Sequence, residues 1–174
     1  DVGAHIGRYT VPIAKLLKDK GIVMAIEAAP ENYATLIKNI KLNELSNVFA
    51  LNIAAWNRIS ELTLYLSDYS GRHSIKRQTN VGCKVLAKPI DAIIPEYGIK
   101  RVDIVKVDVE GAEVEVLEGM RKLIKMFKPS LLIEVSYMNA ECIYKLLKEM
   151  NYQFKEIPQS RTPSHFYLFC YKGE

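Results

Sequence analysis

Residues 102–119 read VDIVKVDVEGAEVEVLEG, and this stretch decides the fold. Its first seven residues set valine and isoleucine on both faces around Asp103, Lys106 and Asp108, the pattern of a parallel strand covered on both sides. Gly111 ends the extended run, and Val114, Leu117, Met120, Leu123, Ile124 and Phe127 then recur at helical spacing. A central strand therefore runs straight into a helix, and open α/β sheets take their ligands in the crevice at the carboxyl ends of such strands. That position carries Asp108, Glu110 and Glu113. Glu110, Glu113 and Glu115 stand at the start of the helix and Arg121, Lys122, Lys125 and Lys128 toward its end, so complementing the helix dipole is the favoured explanation of the three glutamates. Asp108 differs. It lies on the strand end itself and shares a face with Lys106 in an otherwise apolar segment, where charges need partners or a function.

Upstream, Asp1-Val2-Gly3-Ala4-His5-Ile6-Gly7 reads as a turn at a strand end, GxxxG in place of GxGxxG, with Gly3 and Gly7 removing side chains that would keep a ligand off the backbone. Such a turn ordinarily follows a buried strand, so the first strand is expected to be truncated at Asp1. A helix with Tyr9, Ile13, Leu16 and Leu17 on one face follows, with Pro12 near its start and Gly21 closing it. Ile22 to Ile26 is the next buried strand. Glu27 at its carboxyl end follows Gly7 by twenty residues, the offset at which nucleoside-binding folds place an acid on the ribose hydroxyls. Pro30 and Glu31 open a helix with Tyr33, Leu36, Ile37 and Ile40 inward, and Val48 to Ile53 is a third strand. Asn52 near its end, with Ala54, Ala55 and Trp56 beyond, suits an adenine edge and floor, although core packing is the better reading of Trp56.

The pattern then changes. Leu62, Leu64 and Leu66 alternate with polar residues as in a half-buried strand, and residues 68–82 hold Tyr69, Arg72, His73 and Arg77. A returning strand at Lys84 to Ala87 and a short helix at Asp91 to Tyr97 complete an insertion at about 58–98, long for a compact domain and therefore a candidate functional loop. Beyond the central unit come a buried strand at Ser130 to Ser136, whose Glu134 is expected to pair with Lys106, and an amphipathic helix at Ala140 to Met150. Tyr152 to Ile157 and His165 to Tyr171 form an antiparallel hairpin across residues 158–164. Tyr69, Arg72 and His73 on the insertion, and Arg161 and His165 on the hairpin, are the candidate acceptor-binding residues.

With 174 residues, 49% of them hydrophobic, the chain reads as a single domain over 1–174. A net charge of +4 comes from 24 Lys and Arg spread along helices, with no dense basic block such as a nucleic-acid arm would show. Cys83, Cys142 and Cys170 have neither metal-ligand spacing nor an even count, so a reducing, cytoplasmic interior is the expectation. No apolar run is long enough to span a bilayer, no signal peptide is seen, and nothing bears on oligomeric state. Asp108, Glu110 and Glu134 could converge with His165 on a hard divalent ion, but no spacing demands one and the reading is no metal.

Five strands alternating with helices and finished by an antiparallel hairpin resemble the α/β, Rossmann-like class I fold of S-adenosylmethionine (SAM)-dependent methyltransferases, which implies the strand order 3-2-1-4-5-7-6 with a β insertion after strand 3. More narrowly, DVGAHIG at 1–7, IEAAPENYATLIKNIKLN at 26–43, DIVKVDVEGAEVEVLEG at 103–119 and LLIEVS at 131–136 resemble the FkbM family over nearly the whole chain. The resemblance implies SAM as cofactor and O-methylation of a hydroxyl on a sugar, glycan or other small molecule. It puts Asp1, Gly3, His5 and Gly7 at the methionine end of SAM, Glu27 and Ala28 at its ribose, and Asn52, Ile53 and Ala54 at its adenine. Asp108 lies next to the cofactor and is the preferred base for the hydroxyl proton, with Glu110 in reserve. His5 stands where the family more often has asparagine, and Ala28 replaces the usual proline after the glutamate. One rival is an RNA methyltransferase, because residues 1–43 also resemble archaeal tRNA guanine methyltransferases. Against it, Asp108-Val109-Glu110-Gly111 lacks their Asn-Leu-Pro or Asn-Pro-Pro-like turn and would repel a phosphate backbone, so a nucleic-acid acceptor is not expected. A nicotinamide-dependent dehydrogenase is disfavoured by the missing third glycine. A non-catalytic module of the same fold is the last alternative.

Overall fold

The computed structural model describes residues 1–67, 73–76, 79–159 and 164–173. The chain divides into two compact units, Asp1–Ala54 with Ser60–Ala87, and Ala55–Ile59 with Lys88–Glu174.

The first unit holds α1 (Thr10–Leu17), β1 (Val23–Ile26), α2 (Pro30–Leu42) and β2 (Val48–Leu51). β1 and β2 run parallel, from Val23 opposite Val48 to Ile26 opposite Leu51, and Val2 bridges Ile26 in parallel. The α2 face set by sequence spacing is the buried one: Leu36 and Ile40 pack with Ala4 and Ala25, and Tyr33, Ile37, Leu45, Val48 and Ala50 close around them. α1 departs from expectation. Leu16 is 82% exposed and Ile13 is also exposed, while the buried side consists of Thr10 and Ala14. At the end of the helix the Asn47 side-chain amide donates to the carbonyls of Ala14, Lys18 and Gly21 at 3.0, 2.7 and 3.1 Å. α1 ends at Lys18 (φ 52°), a 3₁₀ turn over Lys18–Lys20 follows, and Gly21, in extended backbone, closes the helical run as the sequence suggested. After β3 (Ala54–Ala55), β4 (Ser60–Tyr65) and β5 (Gly82–Lys88) pair antiparallel from Ser60–Ala87 to Tyr65–Gly82, and Tyr65 bridges Ser74. The insertion is thus a β arm; Tyr69, Arg72 and Arg77 lie outside the described residues.

The second unit contains α3 (Ile90–Glu96), β6 (Ile104–Val107), α4 (Glu113–Glu118), α5 (Arg121–Phe127), β7 (Ser130–Ser136), α6 (Ala140–Glu149), β8 (Tyr152–Pro158) and β9 (His165–Lys172). Its sheet has the order β6-β7-β9-β8, with β6 and β7 parallel and β9 antiparallel to both neighbours, so the expected terminal hairpin is present and β8 is an outer strand. The stretch after Gly111 is two short helices, not one. Gly119 separates them, and a Cβ there would lie 2.0 Å from the Trp56 carbonyl oxygen, so no side chain fits. The Gly119 carbonyl accepts from Asp91 N–H (2.9 Å), and the Asp91 carboxylate accepts the Lys122 and Leu123 N–H groups (2.9 and 2.7 Å), capping the start of α5 from another helix. The apolar period survives the break, because Val116, Leu117, Met120, Leu123 and Ile124 are all buried. Among the described residues no helix is long and apolar enough to cross a membrane.

Candidate active site

The first unit builds a turn around one carboxylate. Gly3, His5 and Gly7 all have positive φ (78°, 53° and 92°), so the chain coils tightly after Val2. The N–H groups of Gly3 and Ala4 both donate to the Ile26 carbonyl, at 2.9 and 3.0 Å. Glu27, the next residue, is only 8% exposed. Its Oε2 accepts the His5 N–H at 2.7 Å, and its Oε1 accepts the Ala29 N–H at 2.9 Å and the Asn32 side-chain amide at 3.5 Å. The acid therefore satisfies backbone donors that burial would otherwise strand. An ionised carboxylate has about four acceptor positions, so room remains for a ligand hydroxyl.

The neighbours have more specific jobs than the sequence indicated. Histidine, like asparagine, is among the few residues that tolerate the left-handed region, which gives His5 a conformational reason for standing at this position. Gly7 serves packing within the protein: a Cβ there would meet Leu36 Cδ1 at 2.8 Å and Val11 Cγ2 at 3.2 Å, so the space expected for a ligand is filled by α2 and α1. Asp1 accepts the buried Thr10 hydroxyl at 2.7 Å. Asn52 is exposed, and its side-chain N–H₂ donates to the carbonyls of Glu27 (2.9 Å) and Ala28 (3.1 Å), tying together the ends of β1 and β2. Ile53 is half-buried and Ala54 is buried. Trp56, in the second unit, is also buried, as packing required.

The second unit builds an acid cluster. Strand alternation puts Lys106 and Asp108 on one face, and Lys106 Nζ lies 3.2 Å from Asp108 Oδ2, an ion pair two residues along the chain. Glu110 (φ 53°) and Gly111 (φ 104°) turn the chain sharply. Glu113 is buried and accepts the Gly111 N–H at 2.8 Å and the Asn139 amide at 3.4 Å. Burial raises its pKa above the usual carboxylate range, against the Gly111 hydrogen bond, which lowers it. Glu113 thus holds the turn, a role beyond dipole compensation. On β7, Glu134 Oε1 accepts the Gln159 amide at 2.7 Å. Carboxylate oxygens of Asp108, Glu110 and Glu134 lie within 4.8 Å of one another. Burial first, and the charge of Asp108 second, push the Glu134 pKa up to about 7. Sequence reasoning undervalued Glu134 as a site residue; the available signal was a single acid near the carboxyl end of an otherwise apolar strand.

His165 pairs in register with Ser136, its Nδ1 lies 2.9 Å from Ser164 Oγ, and it is outside the trio. His73 Nδ1 accepts the Ser67 N–H at 3.0 Å and so folds the β arm. Tyr69, Arg72 and Arg161 lie outside the described residues. Three neighbouring carboxylates do not by themselves make a metal site, and none is assigned.

A family profile described as the methyltransferase FkbM domain matches residues 1–154. The chain belongs to the FkbM methyltransferase family. FkbM proteins are SAM-dependent methyltransferases with a class I α/β fold. A solved methyltransferase FkbM from Methylobacillus flagellatus KT superposes with a TM-score of 0.73 at 22% identity, covering 98% of this chain and 42% of that one. Methyltransferase 1 of Beauveria bassiana is 28% identical over 142 residues, 69% of this chain and 57% of the relative. The tRNA(Phe) (4-demethylwyosine(37)-C(7)) aminocarboxypropyltransferase of Methanocaldococcus jannaschii is 50% identical over 62 residues, 36% of this chain and 24% of that protein. The FkbM chain described here therefore spans little more than half the length of the Beauveria relative and less than half of the solved one. The likeness to a tRNA-modifying enzyme means that the comparisons do not support excluding nucleic acid.

Proposed function

We propose that this FkbM-family chain transfers a methyl group from SAM to a hydroxyl oxygen of a sugar, glycan or other small molecule, acting as one domain over 1–174 with an insertion at 58–98. The observation that carries the reading is Glu27, a buried carboxylate held at a strand end by the turn it organises, with acceptor capacity left for a ribose hydroxyl. In this reading Asp1, Gly3, His5 and the turn closed by Gly7 take the methionine end of SAM, Glu27 and Ala28 the ribose, and Asn52 with the backbone of Ile53 and Ala54 the adenine. When bound, SAM supplies a methyl carbon on a sulfonium, a good leaving group. The chain's own tasks are then alignment and removal of one proton. Asp108 takes the hydroxyl proton, with Glu110 in reserve, and Tyr69, Arg72, His73, Arg161 and His165 are the residues proposed to touch the acceptor. The three cysteines, all unpaired, support placing the protein in a reducing, cytoplasmic compartment.

The test is calorimetric titration with SAM, its demethylated product and NAD, followed by mass spectrometry of products after incubation with SAM and a panel of glycans, lipids and tRNA. Binding of SAM and its product but not NAD, with a methylated hydroxyl in the panel, is the expected result. Preference for NAD, or no SAM binding, sinks the reading. A second reading, an acceptor on tRNA, rests on the 62-residue likeness to the Methanocaldococcus enzyme and is the outcome if only tRNA gains mass.

A further inference from the structure

Lys106 stands in mid-strand on β6 between buried Val105 and Val107, and its own side chain is 8% exposed. An ammonium in such a place needs a counter-charge, which Asp108 provides at 3.2 Å. The Asp108 side chain is 25% exposed, so the pair has its cation inside and its anion partly reachable. From the neighbouring strand β7, Glu134 brings an oxygen within 4.8 Å of the Asp108 and Glu110 oxygens, with its Oε1 fixed by Gln159. Two carboxylates this close do not both ionise freely, and burial together with the neighbouring Asp108 makes Glu134 a good home for a proton.

We propose that Lys106 and Glu134 are positioning residues for Asp108, Lys106 fixing its carboxylate and Glu134 receiving the proton that Asp108 has taken from the acceptor hydroxyl. This rests on the reading of Asp108 as the base. The acceptor's O–H bond breaks and its oxygen forms the new bond to the methyl carbon, with the C–S electron pair staying on sulfur. The proton goes to Asp108, across to Glu134 and out to water, which restores the Lys106–Asp108 pair. A Glu134 carboxyl raised to about 7 by burial and by Asp108 both takes and releases a proton in neutral water. The other groups on the elements packed here are Glu110 and Glu113 after β6, Tyr167 opposite Glu134 and His165 opposite Ser136 on β9, and the neutral amides of Gln159 and Asn139. Glu110 acts in the same direction as Asp108, and the Gln159 hydrogen bond acts against them.

The experiment follows the Glu134 carboxyl carbon by NMR against pH in protein labelled with ¹³C in its glutamate side chains, the signal being assigned by its loss in Glu134→Gln. The expected midpoint is about 7 in the parent, lower by at least about one unit in Asp108→Asn, higher in Lys106→Met, and close to the parent in Lys106→Arg. A midpoint near the ordinary value of about 4.3, or one that Asp108→Asn does not move, overturns the inference. So does a midpoint that added magnesium lowers in the parent, because the trio is then a cation site. Should Lys106→Met fail to fold, Lys106→Arg and Asp108→Asn carry the comparison. On an acceptor returned by the product screen, Glu134→Gln should lose at least about tenfold in kcat at neutral pH with KM unchanged. SAM titration of the same samples separates the two failures. A parent that binds no SAM sinks the methyl-transfer reading, whereas one that binds SAM but shows no raised Glu134 sinks this inference alone.

Discussion

Glu27 joins ligand recognition to backbone order, because the oxygens proposed to meet a ribose already hold the N–H groups of His5 and Ala29. Glu27→Ala should therefore cost about 1–3 kcal/mol of folding stability, from stranded donors, as well as about 1–3 kcal/mol of SAM affinity. Urea melts read the first effect and calorimetry on the folded fraction the second; a mutant that melts like the parent would show that these bonds do not hold the turn. The placement of single residues was largely readable in the sequence: Glu27 directly follows β1, Asp108 directly follows β6 and Lys106 lies on β6, although β6 stands at one end of the strand order in its unit. What a residue touches was harder to read. A strand lysine has neighbours two residues along and on the adjacent strand, and only geometry showed that Lys106 pairs with Asp108. Likewise a glycine motif reads the same whether the space beside it is for a ligand or, as at Gly7, for Leu36 and Val11.

Among the elements, the pair α4 and α5 shows how a period can be right and an axis wrong. Spacing identified Leu117, Met120, Leu123 and Ile124 as buried, but it is Val116 and not Val114 that is buried beside them, and the close contact at Gly119 between the two helices comes from Trp56, far back in the chain. No local signal marks such an approach. In α1, too, the buried side is Thr10 and Ala14 while the larger Ile13 and Leu16 are exposed, which the apolar spacing did not show. The break creates a new helix start, and Asp91 caps it from α3 through two hydrogen bonds. Asp91→Ala is expected to lower stability by about 1–2 kcal/mol and to leave SAM affinity unchanged. A fall in the urea midpoint at constant slope is the measurement, and an unchanged midpoint would mean that the break needs no cap.

At the scale of the whole molecule, the acid cluster makes stability depend on pH in a direction unusual for carboxylates. The Glu134 pKa is raised on folding from 4.5 to about 7, so the folded chain holds this proton more tightly than the unfolded one. Its contribution is most favourable below about pH 4.5 and is lost as pH rises to about 7. Glu134→Gln, which cannot ionise, should melt like the parent near pH 4.5 and be more stable above pH 7, by on the order of 2 kcal/mol. Thermal melts at the two pH values test this, and equal differences at both would place the Glu134 carboxyl in water. A different property of the assembled sheet concerns neighbouring molecules. Among the described residues β8 has a strand on one side only, which leaves one row of backbone groups along the kind of border where folded proteins stick to one another and grow into fibres. Exposed Lys155 and Glu156 put charge along that border, and Pro158, which has no N–H to give, ends it. The hairpin thus resists sheet-to-sheet aggregation, and crowding at high concentration should not recruit this border into fibrils.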